Sequence, residues 1–351
     1  MEIKTMINLE KEIREQPEAL SRVIDANLPA IRSIVGKAKA AGVHHIYFAA
    51  RGTSDHACVY AQYLFGIFAG IPCTLGTPSV FTKYGAHVDL SDCLVIGVSQ
   101  SGKAEDVLAV LASAKADGAI TVSVTNNEES PMAKAADYHL FCGCGFEASI
   151  AATKTFTTQM MILGTIAAVW AENDALLAEL KNVYKDAQAL LDTKFDDIMA
   201  FADKYQNIPG AILLGRGVSY CIALEGALKM LETNKLKMKG YPTSDFHHGP
   251  IAQVKAGDLV FVIAPSGKTD DDSAEICRKL LNVDADVVVL TDDAKNAPAG
   301  TTPFVLPCTG SEFTFPYVAA MFFQLTACCM TIVRGIDPDK AGVINKITIT
   351  K

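Results

Sequence analysis

Residues 94–104 read LVIGVSQSGKA and residues 259–269 read LVFVIAPSGKT. Each opens as an apolar run with the composition of a buried strand, passes through a Ser/Gly turn and, in the first case, leads into the helical pattern AEDVLAVLASAKA. The match is not isolated. Arg51-Gly52-x-Ser54 returns as Arg216-Gly217-x-Ser219, and Ser101-Gly102-Lys103 as Ser266-Gly267-Lys268, both 165 residues on. Thr125-Asn126 and Leu140-x-Cys142 return as Thr291-Asp292 and Leu306-x-Cys308, 166 residues on, as one inserted residue requires. Chance among common Gly and Ser residues explains one such pair but not four in order, so the chain reads as one α/β unit used twice. Apolar runs at 45–49, 93–98 and 120–124, then 211–214, 259–263 and 287–290, alternate with helical patterns. That alternation predicts parallel sheets flanked by crossover helices.

Outward from these repeats, the first unit is expected over residues 36–204, including a polar helical connector at 173–205 that has neither Pro nor Gly, and the second over 205–335. A helical segment, 1–35, precedes them, divided by Pro17 and Pro29, and a tail, 336–351, follows. A length of 351 residues suits two domains, and a chain half hydrophobic and 20% charged has ample material for their cores. Lys plus Arg number 31 against 39 Asp plus Glu, a net charge of −8 without a basic run, which argues against a nucleic-acid partner. The charged start MEIKTMINLEKEIREQ lacks the pattern of a secretion signal. The longest apolar stretch, 318–333, is interrupted by Gln324 and falls short of the ~18 apolar residues of a membrane span. A cytoplasmic chain with no membrane partner is expected. Of the ten cysteines, Cys58, Cys73, Cys93, Cys221, Cys277 and Cys328 sit in apolar runs without the spacing of a disulfide framework. Cys142 and Cys144 lack the two-residue gap of a zinc knuckle and read as a buried strand end; no metal or cofactor is expected.

Three constellations could carry chemistry. Residues 97–104, GVSQSGKA, join a strand to a helix N-terminus, where free backbone N–H groups and the positive end of the helix dipole can cradle a phosphate. Ser99, Gln100 and Ser101 add side-chain donors, although the same window serves equally as an ordinary turn with capping serines. It also spells GxxxxGK, but Ala104 stands where a nucleotide-binding loop needs Ser or Thr for magnesium, and in the second copy Val262 replaces the first glycine. An ATPase is therefore disfavoured. In residues 222–232, IALEGALKMLE, the polar side chains Glu225, Lys229 and Glu232 fall at i, i+4 and i+7, on one face of an otherwise apolar helix. Glu225 precedes Lys229 in the order that favours an ion pair, which leaves Glu232 without an obvious local partner and a candidate general base. His247 and His248 precede Gly249-Pro250, a turn that holds the imidazoles in a loop, where one could serve as acid or base.

Taken together, ARGTSD, SQSGK, FEASIAATKTFTTQ, LGRG followed by ALEGALK, HHGP and a final NKITITK resemble the double sugar-isomerase (SIS) domain family, in order from residue 50 to the C-terminus. That family includes the isomerase half of glutamine:fructose-6-phosphate amidotransferase, stand-alone glucosamine-6-phosphate deaminases and fructosamine-6-phosphate deglycases. The resemblance implies two tandem units, each a parallel sheet, with a C-terminal tail reaching the active site. It implies that Gly52, Ser54, Ser99, Gln100 and Ser101 hold the sugar phosphate, that Glu232 shuttles a proton between C1 and C2, and that Glu225 and Lys229 support it. It further implies that His248 opens the sugar ring in the site of the neighbouring subunit of a homodimer, and that Lys346 reaches the site and can form a Schiff base with the open-chain ketose.

Two departures shape the expectation. Residue 2 is Glu2 rather than a nucleophilic cysteine, with about 45 residues before the first strand, so glutamine is not expected to supply nitrogen within this chain. Lys237 and Lys239 add two cations that could bind an amino-acid carboxylate. The leading expectation is an isomerising deaminase that converts glucosamine 6-phosphate to fructose 6-phosphate and ammonia. A deglycase acting on a 6-phosphorylated Amadori compound is the close rival. A sugar-phosphate sensor without catalysis is the third reading, disfavoured because Glu232 and His248 occur together.

Overall fold

The computed structural model describes residues 7–340. Among these residues ten strands form two parallel sheets. β1 (His45–Ala49), β2 (Cys73–Leu75), β3 (Cys93–Ser99), β4 (Ile120–Thr125) and β5 (Tyr138–Phe141) lie in the order β2-β1-β3-β4-β5. β6 (Gly210–Gly215), β7 (Lys237–Pro242), β8 (Leu259–Ile263), β9 (Asp286–Thr291) and β10 (Thr302–Val305) lie in the order β7-β6-β8-β9-β10. The two orders are the same, strand for strand, so the duplication holds for topology as well as for motifs. In each sheet the chain moves outward to an edge with its second strand and then returns to the other side of the first. The winding therefore reverses between β1 and β3, and again between β6 and β8. At such a reversal the loops leaving two neighbouring strands diverge, and the crevice beyond the carboxyl ends is where open α/β sheets bind ligands. Ala49 pairs with Gly97 across β1 and β3, which brings the loop at Arg51 and the loop at Ser99 to one end of the sheet.

Residues 18–147 and 154–181 pack as one unit around the first sheet; residues 7–17, 148–153 and 182–340 pack as another around the second. The connector read from the sequence is three helices, Asp174–Leu180, Val183–Thr193 and Phe195–Lys204. The N-terminal segment forms helices Asn8–Arg14 and Gln16–Ala40, so Pro17 marks a helix start whereas Pro29 divides nothing. Pro29 is exposed, and the backbone carbonyl it leaves without a partner can be hydrated, which lets the helix continue.

In the first unit, helix Glu105–Ala116 lays Val107, Val110, Leu111 and Ala114 against Tyr47, Ala49 and Val95 of the sheet. In the second, helix Phe315–Val333 is apolar on all sides. It begins three residues before the apolar run read from the sequence, and its 19 residues satisfy the length and composition of a membrane span. It is 89% buried within the protein, as the core helix of a globular unit would be. All ten cysteines are free thiols; Cys142 and Cys144 are buried at the end of β5, and burial raises the Cys144 thiol to about 12. No cluster of three or more metal-ligating side chains occurs among the described residues.

Candidate functional site

The loop after β1 turns on Gly52, whose φ of +53° lies in the left-handed region that glycine adopts without strain; Gly217 repeats the turn at φ +57°. Helix Thr53–Leu64 starts there, with Gly52 exposed and Ser54 buried in its first turn. The loop after β3 joins it at the winding reversal. Within it the Gly102 N–H donates to Ser99 Oγ (3.2 Å) and the Lys103 N–H to Ser101 Oγ (3.3 Å). The Ser101 N–H donates to nothing among the described residues. Gly102 itself has φ +64°, and a Cβ there would run into Ser130, so this turn requires glycine. Helix Glu105–Ala116 follows; its N-cap residue Ala104 offers no side-chain acceptor, and the Val107 N–H donates to Asp106 Oδ1 (2.9 Å). Ser99, Gln100 and Ser101 are half-buried and open to a ligand. Neutral hydroxyls and the uncommitted Ser101 N–H can accept a phosphate, because the hydroxyls can rotate to donate.

The two loops are tied by a contact that the sequence reading missed. Arg51 Nε lies 2.8 Å from Asp106 Oδ2, and the duplicate Arg216 Nε lies 2.9 Å from Asp272 Oδ2. The arginine of the repeated RG-x-S motif is thus spent on holding the helix that follows the neighbouring loop. Asp106 and Asp272 recur at the 166-residue offset and could have been found by extending the self-comparison. Asn126 was singled out only as part of a repeat. It turns out to brace the loop, since its N–H donates to Gln100 O (3.0 Å) while its side chain holds Cys144 N and Gly145 O.

The second constellation lies on helix Tyr220–Asn234. Lys229 Nζ stands 2.7 Å from Glu232 Oε2 and 3.3 Å from Glu225 Oε1. This corrects the expectation that Glu232 lacks a local partner: the lysine spans both carboxylates and is nearer to Glu232, because i+3 and i+4 positions both face it. Glu225 and Lys229 are buried, whereas the Glu232 side chain keeps 19% of its surface exposed. Burial would lower the Lys229 pKa, but the charges of Glu225 and Glu232 outweigh it and hold the lysine above its ordinary value. The result is a fixed cation with one carboxylate that a substrate can reach.

His247 and His248 follow the short helix Thr243–Phe246. His248 is exposed, with its N–H bonded to Asp245 O (3.0 Å), and Gly249 at φ +135° turns the chain into Pro250–Gln253. His247 instead lies 3.3 Å from Lys279 Nζ. Lys237 and Lys239 are exposed on β7, an edge strand. A Cβ on Gly240 would run into Ala223 O of the Glu232 helix, so by strand alternation the two lysines face away from that helix. Lys239 stacks instead on the Tyr241 ring, 4.9 Å from its centroid. Lys346 lies outside the described residues.

Comparison with known proteins follows this geometry. The SIS domain family model matches residues 41–169 and 205–334. The chain is 31% identical over 348 residues to a glutamine–fructose-6-phosphate aminotransferase (isomerizing) of Bartonella quintana, covering 95% of this chain and 57% of that protein. It thus spans little more than half the length of that relative. The solved C-terminal domain of glucosamine-fructose-6-phosphate aminotransferase from Francisella tularensis superposes with a TM-score of 0.87 at 26% identity, covering 97% of this chain and 99% of the other. A glucosamine-6-phosphate deaminase of Thermotoga maritima, at 22% identity and a TM-score of 0.76 over 98% of this chain and 100% of its own, shares the fold.

Proposed function

The chain belongs to the SIS domain family and is a sugar-phosphate isomerase in class, and from that premise we propose that it is an isomerising deaminase converting glucosamine 6-phosphate and water to fructose 6-phosphate and ammonia. The 6-phosphate binds the first cradle, on Ser99, Gln100, Ser101 and the N–H groups behind them, with Gly52 and Ser54 from the adjoining loop. His248, supplied by the neighbouring subunit of a homodimer, opens the pyranose ring. Glu232 takes the proton from C2 and returns it to C1, which turns the amine-bearing carbon into an imine. Water adds to that imine and ammonia leaves, so the ketose results without oxidation or reduction. Glu225 and Lys229 keep Glu232 in place through the buried ion pairs, and Lys346 on the tail engages the open-chain carbonyl.

One observation favours this reading over the deglycase. A carboxylated Amadori substrate would need a cation on the Glu232 side of β7, and Lys237 and Lys239 face the other way. The test is an assay offering glucosamine 6-phosphate and a fructosamine 6-phosphate that carries an amino acid, with ammonia and free amino acid both measured. Ammonia from the first substrate, abolished in Glu232→Gln, is the expected result. Release of amino acid without ammonia overturns it in favour of the deglycase.

A further inference from the structure

The second cradle has the same three backbone N–H groups as the first but different partners for them. Ser266 N donates to Asp292 Oδ1 (2.6 Å), Gly267 N to Asp270 Oδ1 (3.0 Å) and Lys268 N to Glu312 Oε1 (3.2 Å). In the first copy, Gly102 and Lys103 donate only to serine hydroxyls, and Ser101 N is uncommitted among the described residues. One copy has therefore filled its anion nest with three carboxylates of its own, and the other has not.

The clearest difference lies at one position. Val98 pairs with Val124 in the first sheet and its counterpart Ile263 with Leu290 in the second, which makes Asp292 the counterpart of Asn126. Asn126 turns its amide to Cys144 N (3.3 Å) and Gly145 O (2.8 Å), away from the Ser101 N–H that its counterpart Asp292 would occupy. A carboxylate on a backbone N–H forms a charge-assisted bond, and an arriving phosphate would have to displace it while repelled by its neighbours.

We propose that the non-acidic side chain of Asn126 determines which copy takes the phosphate. This rests on the phosphate reading given above and deepens it. A carboxylate at 126 can reach the Ser101 N–H as Asp292 reaches Ser266 N, and the first cradle then closes as the second has.

The experiment compares Asn126→Asp with Asn126→Ala and with Ser99→Ala/Ser101→Ala, measuring binding of inorganic phosphate by 31P line broadening and KM and kcat for glucosamine 6-phosphate. Asn126→Asp is expected to weaken phosphate binding and raise KM about 10- to 100-fold, the worth of a charge-assisted bond, with kcat much less affected and Asn126→Ala milder. If Asn126→Ala weakens phosphate as much as Asn126→Asp, or if Asn126→Asp leaves it unchanged, the inference fails. If Ser99→Ala/Ser101→Ala weakens phosphate in that same series, the phosphate reading stands without it. If the serine variant leaves phosphate binding unchanged, the phosphate reading itself falls and takes this inference with it.

Discussion

Lys229 is the residue on which the charged helix face depends. A buried ammonium is costly unless paired, and here it is shared by two carboxylates, one of them as buried as itself. Lys229→Met would leave Glu225 with the charge of Glu232 nearby and no cation between them. The expected loss is about 3–5 kcal/mol of unfolding free energy, read as a lower urea midpoint at neutral pH. Adding Glu225→Leu should restore part of it, because Glu232 retains access to water. The raised Lys229 pKa makes its contribution fully present below the unfolded lysine value and lost only as pH rises through the folded one, so the wild-type pairing is intact across the neutral range. The identity of these three residues was legible from helical spacing. Their pairing was not, since i+3 and i+4 partners compete for one cation and only the side-chain geometry decides between them.

Glycine at 226 shows how an element can override a propensity. In an exposed helix, Gly→Ala gains about 0.5–1 kcal/mol. In helix Tyr220–Asn234, however, a Cβ at Gly226 would stand 2.7 Å from the Phe323 ring and 2.8 Å from Leu213 Cδ2, with core on both sides. Overpacking of that kind costs about 1–3 kcal/mol, so Gly226→Ala is expected to destabilise despite its better propensity. A urea midpoint above that of the wild type would contradict this. The same close approach fixes the helix that carries Glu232 against β6. At this scale the interior strands were readable as continuous apolar runs, whereas the edge strands were not. β7, KMKGYP, alternates exposed Lys with buried Met, and β2 has three residues, too few for any period to register. Pro29 misled for a related reason: the sequence shows the missing N–H but not the solvent that makes the loss tolerable.

Over the whole molecule the duplication was the most legible feature, because two copies of one topology must repeat the glycines and serines their turns require. What it concealed was the divergence of the two cradles, which depends on side chains arriving from three separate loops. If His248 serves the neighbouring subunit, inactive Glu232→Gln and inactive His248→Asn chains refolded together should regain roughly a quarter of wild-type turnover, with one complete site in each mixed dimer. Activity that stays at the parental level would place both groups on one chain. The route of the backbone carries a further consequence, for synthesis. The helix Asn8–Arg14 packs on helix Phe315–Val333, and its neighbours at 148–153 are held by Glu12, which accepts from Ala148 N, Ser149 N and Ser149 Oγ. A ribosome adding about 5–20 residues per second needs roughly 15 to 60 s to travel from residue 14 to residue 315. Through that interval Leu9 and Ile13, both buried in the finished protein, lack the helix that covers them, so two gene fragments divided at the connector are expected to fold poorly when made apart.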